Sequence, residues 1–110
     1  MKLRLLWSLL ATLPVVAAAT GGSSGNANIT EVIVDPLDQV IGIEGSWLNP
    51  DSCSGGSGIA IIQMSVTNYK DELAAALTAY STGQTVNLRF NGCISSPWGN
   101  VPVVAWLAVT

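Results

Sequence analysis

Two cysteines in a short chain, Cys53 and Cys93, limit the folds open to it once they are set beside its first nineteen residues. Residues 1–19 open with Lys2 and Arg4, run through a mostly apolar stretch from Leu5 to Val16, and close on Ala17-Ala18-Ala19. A basic start, a short apolar middle and a small-residue end predict a secretory signal peptide. The apolar stretch, interrupted by Ser8, Thr12 and Pro14, is too short for a comfortable membrane span. The expectation is a mature chain starting near Thr20, secreted or periplasmic, with no membrane insertion after cleavage. In such a compartment two cysteines pair with each other.

Without the leader roughly ninety residues remain, one small domain that gains from a covalent staple. Closing the loop between Cys53 and Cys93 contributes about 4 kcal/mol in the chain-entropy model. Against a typical net stability of about 5–15 kcal/mol that is a large share.

Beyond residue 19 the basic residues are Lys70 and Arg89, against Glu31, Asp35, Asp38, Glu44, Asp51, Asp71 and Glu72. Two cations cannot track a phosphate backbone, which argues against nucleic acid as a partner. Nor do they make a polybasic patch for anionic lipid. With so few charges, the chain must cover itself with Ser, Thr, Asn and Gly or hide apolar surface against another copy, as a homo-oligomer. Both remain open.

Residues 20–28 (TGGSSGNAN) are Gly/Ser-rich and read as a flexible leader without fixed structure. A domain is expected over 29–110. Ile29 to Val34 is β-branched and bounded by Asp35-Pro36, a first strand. From Val40 to Trp47 a period of two sets Ile41, Ile43 and Trp47 on one face and Gly42, Glu44 and Ser46 on the other. Gly45 falls on the apolar face of this second strand and suits a bulge or bend. After a turn-rich loop holding Cys53, a third strand runs from Ile59 to Val66, apolar on both faces at Ile61 and Ile62.

The period then changes. Tyr69, Leu73, Ala76, Leu77 and Tyr80 form one stripe of a helix, with Asn68 as N-cap, Asp71 and Glu72 near its positive end, and Gly83 as left-handed stop. Thr85 to Phe90 alternates as a fourth strand, Asn91-Gly92 signals a turn, and a loop carries Cys93 and Trp98. Val101 to Val109 is a fifth strand, apolar on both faces.

Five strands with one helix between the third and fourth give a mainly β chain in the order β-β-β-α-β-β. That is the order of an OB-fold-like Greek-key barrel of five strands. In such a barrel the two cysteine-bearing loops project from the same rim, so a bridge between them is geometrically reasonable. An open antiparallel sheet with one helix packed across it is the alternative.

The passage Leu77-Thr78-Ala79-Tyr80-Ser81-Thr82-Gly83-Gln84-Thr85-Val86 resembles the B subunits of bacterial AB5 toxins of the pertussis-like and subtilase-cytotoxin type. These small exported OB-fold proteins carry a similar Tyr-Ser-Thr-Gly-Gln-x-Val passage there, and Ile29 to Val34 resembles their first strand. The resemblance implies ring-like self-association and glycan recognition. Sialylated-glycan binders of that family use a serine-containing segment after the first strand. Here that segment is Asp35-Pro36-Leu37-Asp38-Gln39-Val40, without serine, so that site does not carry over.

No histidine is present, which removes the commonest general base and metal ligand. Two cysteines alone do not complete a tetrahedral zinc site, and Gly55-Gly56-Ser57-Gly58 precedes a strand rather than a helix, unlike a phosphate loop. Asp35, Asp38 and Asp51 could hold a weak calcium ion, but Asp beside Pro caps its own turn more readily. No cofactor or metal is expected.

Three tryptophans are the candidate binding residues. Trp47 and Trp98 sit beside Gly/Pro-rich loops and near a cysteine, so a disulfide could bring both indoles to one rim, where aromatic faces stack on sugars or anchor partners. The competing reading places Trp47 in the core and Trp98 over the disulfide. Trp106, with Val104 and Ala108, could form an outward apolar row. The expected function is an exported, non-enzymatic binding or assembly module, toxin-B-subunit-like, with a glycan or protein partner. A secreted inhibitor or small hydrolase using loop carboxylates, or a solitary periplasmic structural protein, is the alternative.

Overall fold

The computed structural model describes residues 21–55 and 58–110; the expected signal peptide over 1–19 lies outside them. Five strands and one helix follow one another as β1 (Gly22–Asp35), β2 (Val40–Gly45), β3 (Ile59–Gln63), α1 (Tyr69–Thr82), β4 (Thr85–Ser96) and β5 (Gly99–Val109). The element order is the one the periodicities predict. The strands join in a ring, β1-β2-β3-β5-β4, closed by β4 against β1. Every pairing is antiparallel except β3 with β5, which meet in parallel at Ile61 and Val103.

β1 begins earlier than its composition suggests. Residues 22–28 are not a loose leader: they are strand and pair with β4 from Gly22↔Phe90 to Asn28↔Thr85. Beyond them, Ile29 to Asp35 pairs with β2, so one long strand serves two neighbours. Two irregularities bend it, one between Ser23 and Asn26, where Gly25 has φ 74°, and one between Ile29 and Glu31. The composition misleads because its polar side chains bond across the ladder, Ser23 Oγ donating to Asn87 Oδ1 and Asn87 Nδ2 donating to Asn26 Oδ1.

The interior of the ring is filled by Ile29, Ile41, Ile43, Ala60, Ile62, Val86, Leu88, Phe90 and Val104, all buried, with Trp47 among them. A second cluster lies apart from it, made of Val40, Ile59, Ile61 and Val101 with Ile94 and Trp98 packed against them. This accounts for β3 being apolar on both faces: Ile62 joins the interior and Ile61 the second cluster. The cover comes from β4 and β5, whose ladder continues past Phe90 to Ser96↔Gly99. Asn91-Gly92 is therefore no hairpin turn. Gly92, at φ 80°, sits in an irregularity of β4, and the chain reverses at Pro97-Trp98.

α1 packs against β1 and β5, with lesser contact to β3 and β4. Its limits are those expected, and Gly83 closes it at φ 75° with its N–H donated to the Ala79 carbonyl. Asn68 stands at the N-cap, though its side chain makes no capping bond; its carbonyl accepts the Asp71 and Glu72 N–H groups. The buried face keeps Tyr69, Leu73 and Ala76 of the expected stripe and departs from the rest of it. Ala76 and Ala79 are buried, Tyr69 and Leu73 partly so, whereas Leu77 and Tyr80 stand exposed. Small alanines let the helix axis approach the ring closely, and the larger residues flank the contact.

Candidate functional site

The disulfide between Cys53 and Cys93 joins the β2–β3 loop to the irregular part of β4, with Cα atoms 5.7 Å apart. Cys93 lies within β4 rather than in a loop after it. Several groups brace this junction. Asn49 Oδ1 accepts the Cys53 N–H and Asn49 Nδ2 donates to the Cys53 carbonyl, each at 3.0 Å. The two oxygens of Asp51 accept the N–H of Gly21 at 2.7 Å and of Gly92 at 2.8 Å, tying the start of β1 to β4. Gly55 donates to the Asn100 carbonyl at 2.7 Å, and a Cβ on Gly55 would lie 2.7 Å from that oxygen. Only glycine permits that approach.

The tip of the β4–β5 hairpin carries Trp98. Ser96 Oγ accepts the Trp98 N–H at 3.1 Å and donates to the Gly99 carbonyl at 2.8 Å, while Gly99 adopts φ 101°. Held in this way, the indole lies over Gly42, where an added Cβ would come within 3.1 Å of Cη2. Val40, Ile59, Ile61 and Val101 pack around it. Trp98 is half-buried and is among the residues lining a cleft.

Two clefts border this hairpin. One, of about 420 Å³, has Trp98 and Ile59 among its walls and Thr30, Glu44 and Ser46 as polar groups. The second, of about 550 Å³, is lined by Asp38, Gln39, Gln63, Ser65, Ser95 and other residues of the two rims. Gln39 takes an unusual φ of 58° there and donates Nε2 to the Pro36 carbonyl at 2.7 Å. The neighbouring Asp35 carboxyl raises the pKa of Asp38, first by a side-chain hydrogen bond and then by its charge.

The tryptophans part company. Trp98 reaches a cleft. Trp47 does not: it is buried in the ring interior, with Nε1 donating to the Ile43 carbonyl at 3.0 Å. Its indole lies over Gly45, where a Cβ would be 2.5 Å away, so Gly45 makes room for this ring rather than bulging β2. Trp47 and Trp98 therefore do not flank one rim. Trp106 is 45% exposed, lines neither cleft, and carries the Arg89 guanidinium 5.5 Å from its ring centroid. The outward row Val104-Trp106-Ala108 does not form. The ladder skips Ala105 between Arg89↔Trp106 and Phe90↔Val104, so the inside–outside phase of β5 shifts and Val104 turns inward.

The loop carboxylates do not converge either. Asp35 Oδ1 accepts the N–H groups of Leu37 and Asp38 in its own turn, and Asp51 is engaged at the disulfide. No group of three or more potential metal ligands exists among the described residues. No sequence motif marks Thr30, Glu44 and Ser46 as site residues. The available signal was Gly42, a side-chain-free position on the outer face of β2 that invites another chain segment to lie across it. In comparisons with known proteins, no family model matches this chain, no curated protein matches it, and no solved structure matches its fold.

Proposed function

We propose that this chain is an exported, non-enzymatic binding module built as an OB-fold-like Greek-key barrel, and that it recognises a glycan at the cleft beside Trp98. The strand order β1-β2-β3-β5-β4, the helix between β3 and β4, and a first strand shared between two neighbours support that architecture. The Cys53–Cys93 disulfide is compatible with an oxidising compartment. One observation carries the binding reading: an indole clamped over Gly42 forms a cleft wall whose other groups include two hydroxyls and a carboxylate. Sugars present an apolar ring face for stacking and hydroxyls for hydrogen bonding, and a rigid aromatic with few polar neighbours meets both needs. A glycan array probed with the mature protein should give a signal that Trp98→Ala abolishes; a blank array would overturn the reading.

A second reading rests on Trp106. Trp and Arg are the residue types most enriched at the energetic centres of interfaces, and here Arg89 stacks on an exposed Trp106. This face would seat a second copy or a protein partner. Light scattering should then show a multimer at micromolar concentration that Trp106→Ser reduces to monomer, and a wild-type monomer would remove the self-association.

A further inference from the structure

We infer that the Trp98 cleft selects neutral, hydroxyl-rich sugar rings and turns away sialylated ones, an inference that rests on reading the cleft as a glycan site. Glu44 is the one charged side chain among the residues lining it. In the β1–β2 ladder Glu44 stands directly opposite Glu31. Strand alternation sends both carboxylates to the same face, since their neighbours Ile43 and Val32 face the interior. Like charges paired across two strands oppose each other, so this face carries a concentrated negative field.

Among the described residues no basic side chain lines either cleft to offset that field. The basic side chains of the described residues are Lys70, at the start of α1, and Arg89, held against the Trp106 ring. Neither lines either cleft, and the second cleft adds Asp38. A sialate carboxylate entering the Trp98 cleft would meet Glu44 with no basic side chain among the lining residues to receive it, and like charges brought together at a binding surface disfavour the wrong partner. A neutral ring meets the opposite situation. Its apolar face can lie on the indole, and its hydroxyls can donate to Glu44 while exchanging hydrogen bonds with Thr30 and Ser46. Hydrogen bonds donated to a carboxylate are stronger than those to a neutral acceptor. Glu44 therefore serves as both attraction and filter.

The experiment uses the disulfide-bonded mature chain on immobilised neutral galactosides and glucosides beside their sialylated counterparts, at physiological salt. Wild type should bind neutral glycans and leave the sialylated ones unbound. Trp98→Ala should abolish the signal. Glu44→Gln, which keeps the shape and removes the charge, should weaken neutral binding about tenfold. Adding Glu31→Gln to Glu44→Gln should narrow the gap between neutral and sialylated probes. If wild type binds sialylated glycans and Trp98→Ala abolishes that binding, the selectivity is wrong while the glycan site stands. Unchanged discrimination in the double variant would likewise overturn the role of the carboxylates. If no glycan binds, the glycan site itself falls and takes the selectivity with it.

Discussion

The Ser24 hydroxyl accepts the Leu88 N–H at 2.8 Å where the irregularity between Ser23 and Asn26 breaks the β1–β4 ladder, and it donates to the Gly25 carbonyl. A buried side chain thus stands in for a missing backbone partner. Glu72 shows the reverse. Its Oε1 is buried with no hydrogen-bond partner among the described residues, and burial raises its pKa. Folding therefore favours the protonated carboxyl. The stability this group allows is fully present below its unfolded pKa and is lost as pH rises through the raised folded value. Glu72→Gln should raise the urea midpoint at neutral pH and flatten the decline that sets in as pH rises above the ordinary carboxyl value of 4.5. An identical pH profile in the variant would show that the carboxyl is solvated after all.

The β4–β5 hairpin is the element that makes the site, because it extends past Phe90 and lays Trp98 across Gly42. Its length was not legible in the sequence. Asn91-Gly92 carries a strong local turn signal, yet Gly92's positive φ serves an irregularity within β4 while Ile94 and Val101 find apolar partners on β2 and β3. Tertiary burial outweighs turn propensity there. The helix limits were legible, since an N-cap position and a left-handed Gly83 are local features. Its buried face was legible in part: periodicity finds Tyr69, Leu73 and Ala76, but it puts Leu77 and Tyr80 inward where the packing selects Ala79 instead. Gly42→Val should displace the indole, destabilise the chain by about 1–3 kcal/mol through overpacking, and weaken the proposed glycan binding along with it. Matched urea curves and array signals check this; unchanged binding would detach Trp98 from the role proposed for the cleft.

The molecule as a whole is a ring of five strands held at one rim by the disulfide, the Asn49 brace and the Asp51 clamp. Cys53 and Cys93 are 40 residues apart, so their bond removes a long loop's freedom from the unfolded chain. Replacing both with alanine should lower unfolding stability by about 4 kcal/mol, read from denaturant midpoints, and should loosen the rim that carries Trp98. A loss well under about 1 kcal/mol would mean that the braces hold the rim without the covalent tie. Element types, their order and the cysteine pairing follow from the sequence because each depends on local period, turn chemistry or simple pairing arithmetic. The burial of Trp47 was legible too, because it is in phase with Ile41 and Ile43, whereas the course of β1 from Gly22, the inward turn of Val104 and the gathering of Thr30, Glu44, Ser46 and Trp98 around one cleft were not. Each of these depends on where strands bulge and what packs across them, and long-range contacts alone decide that.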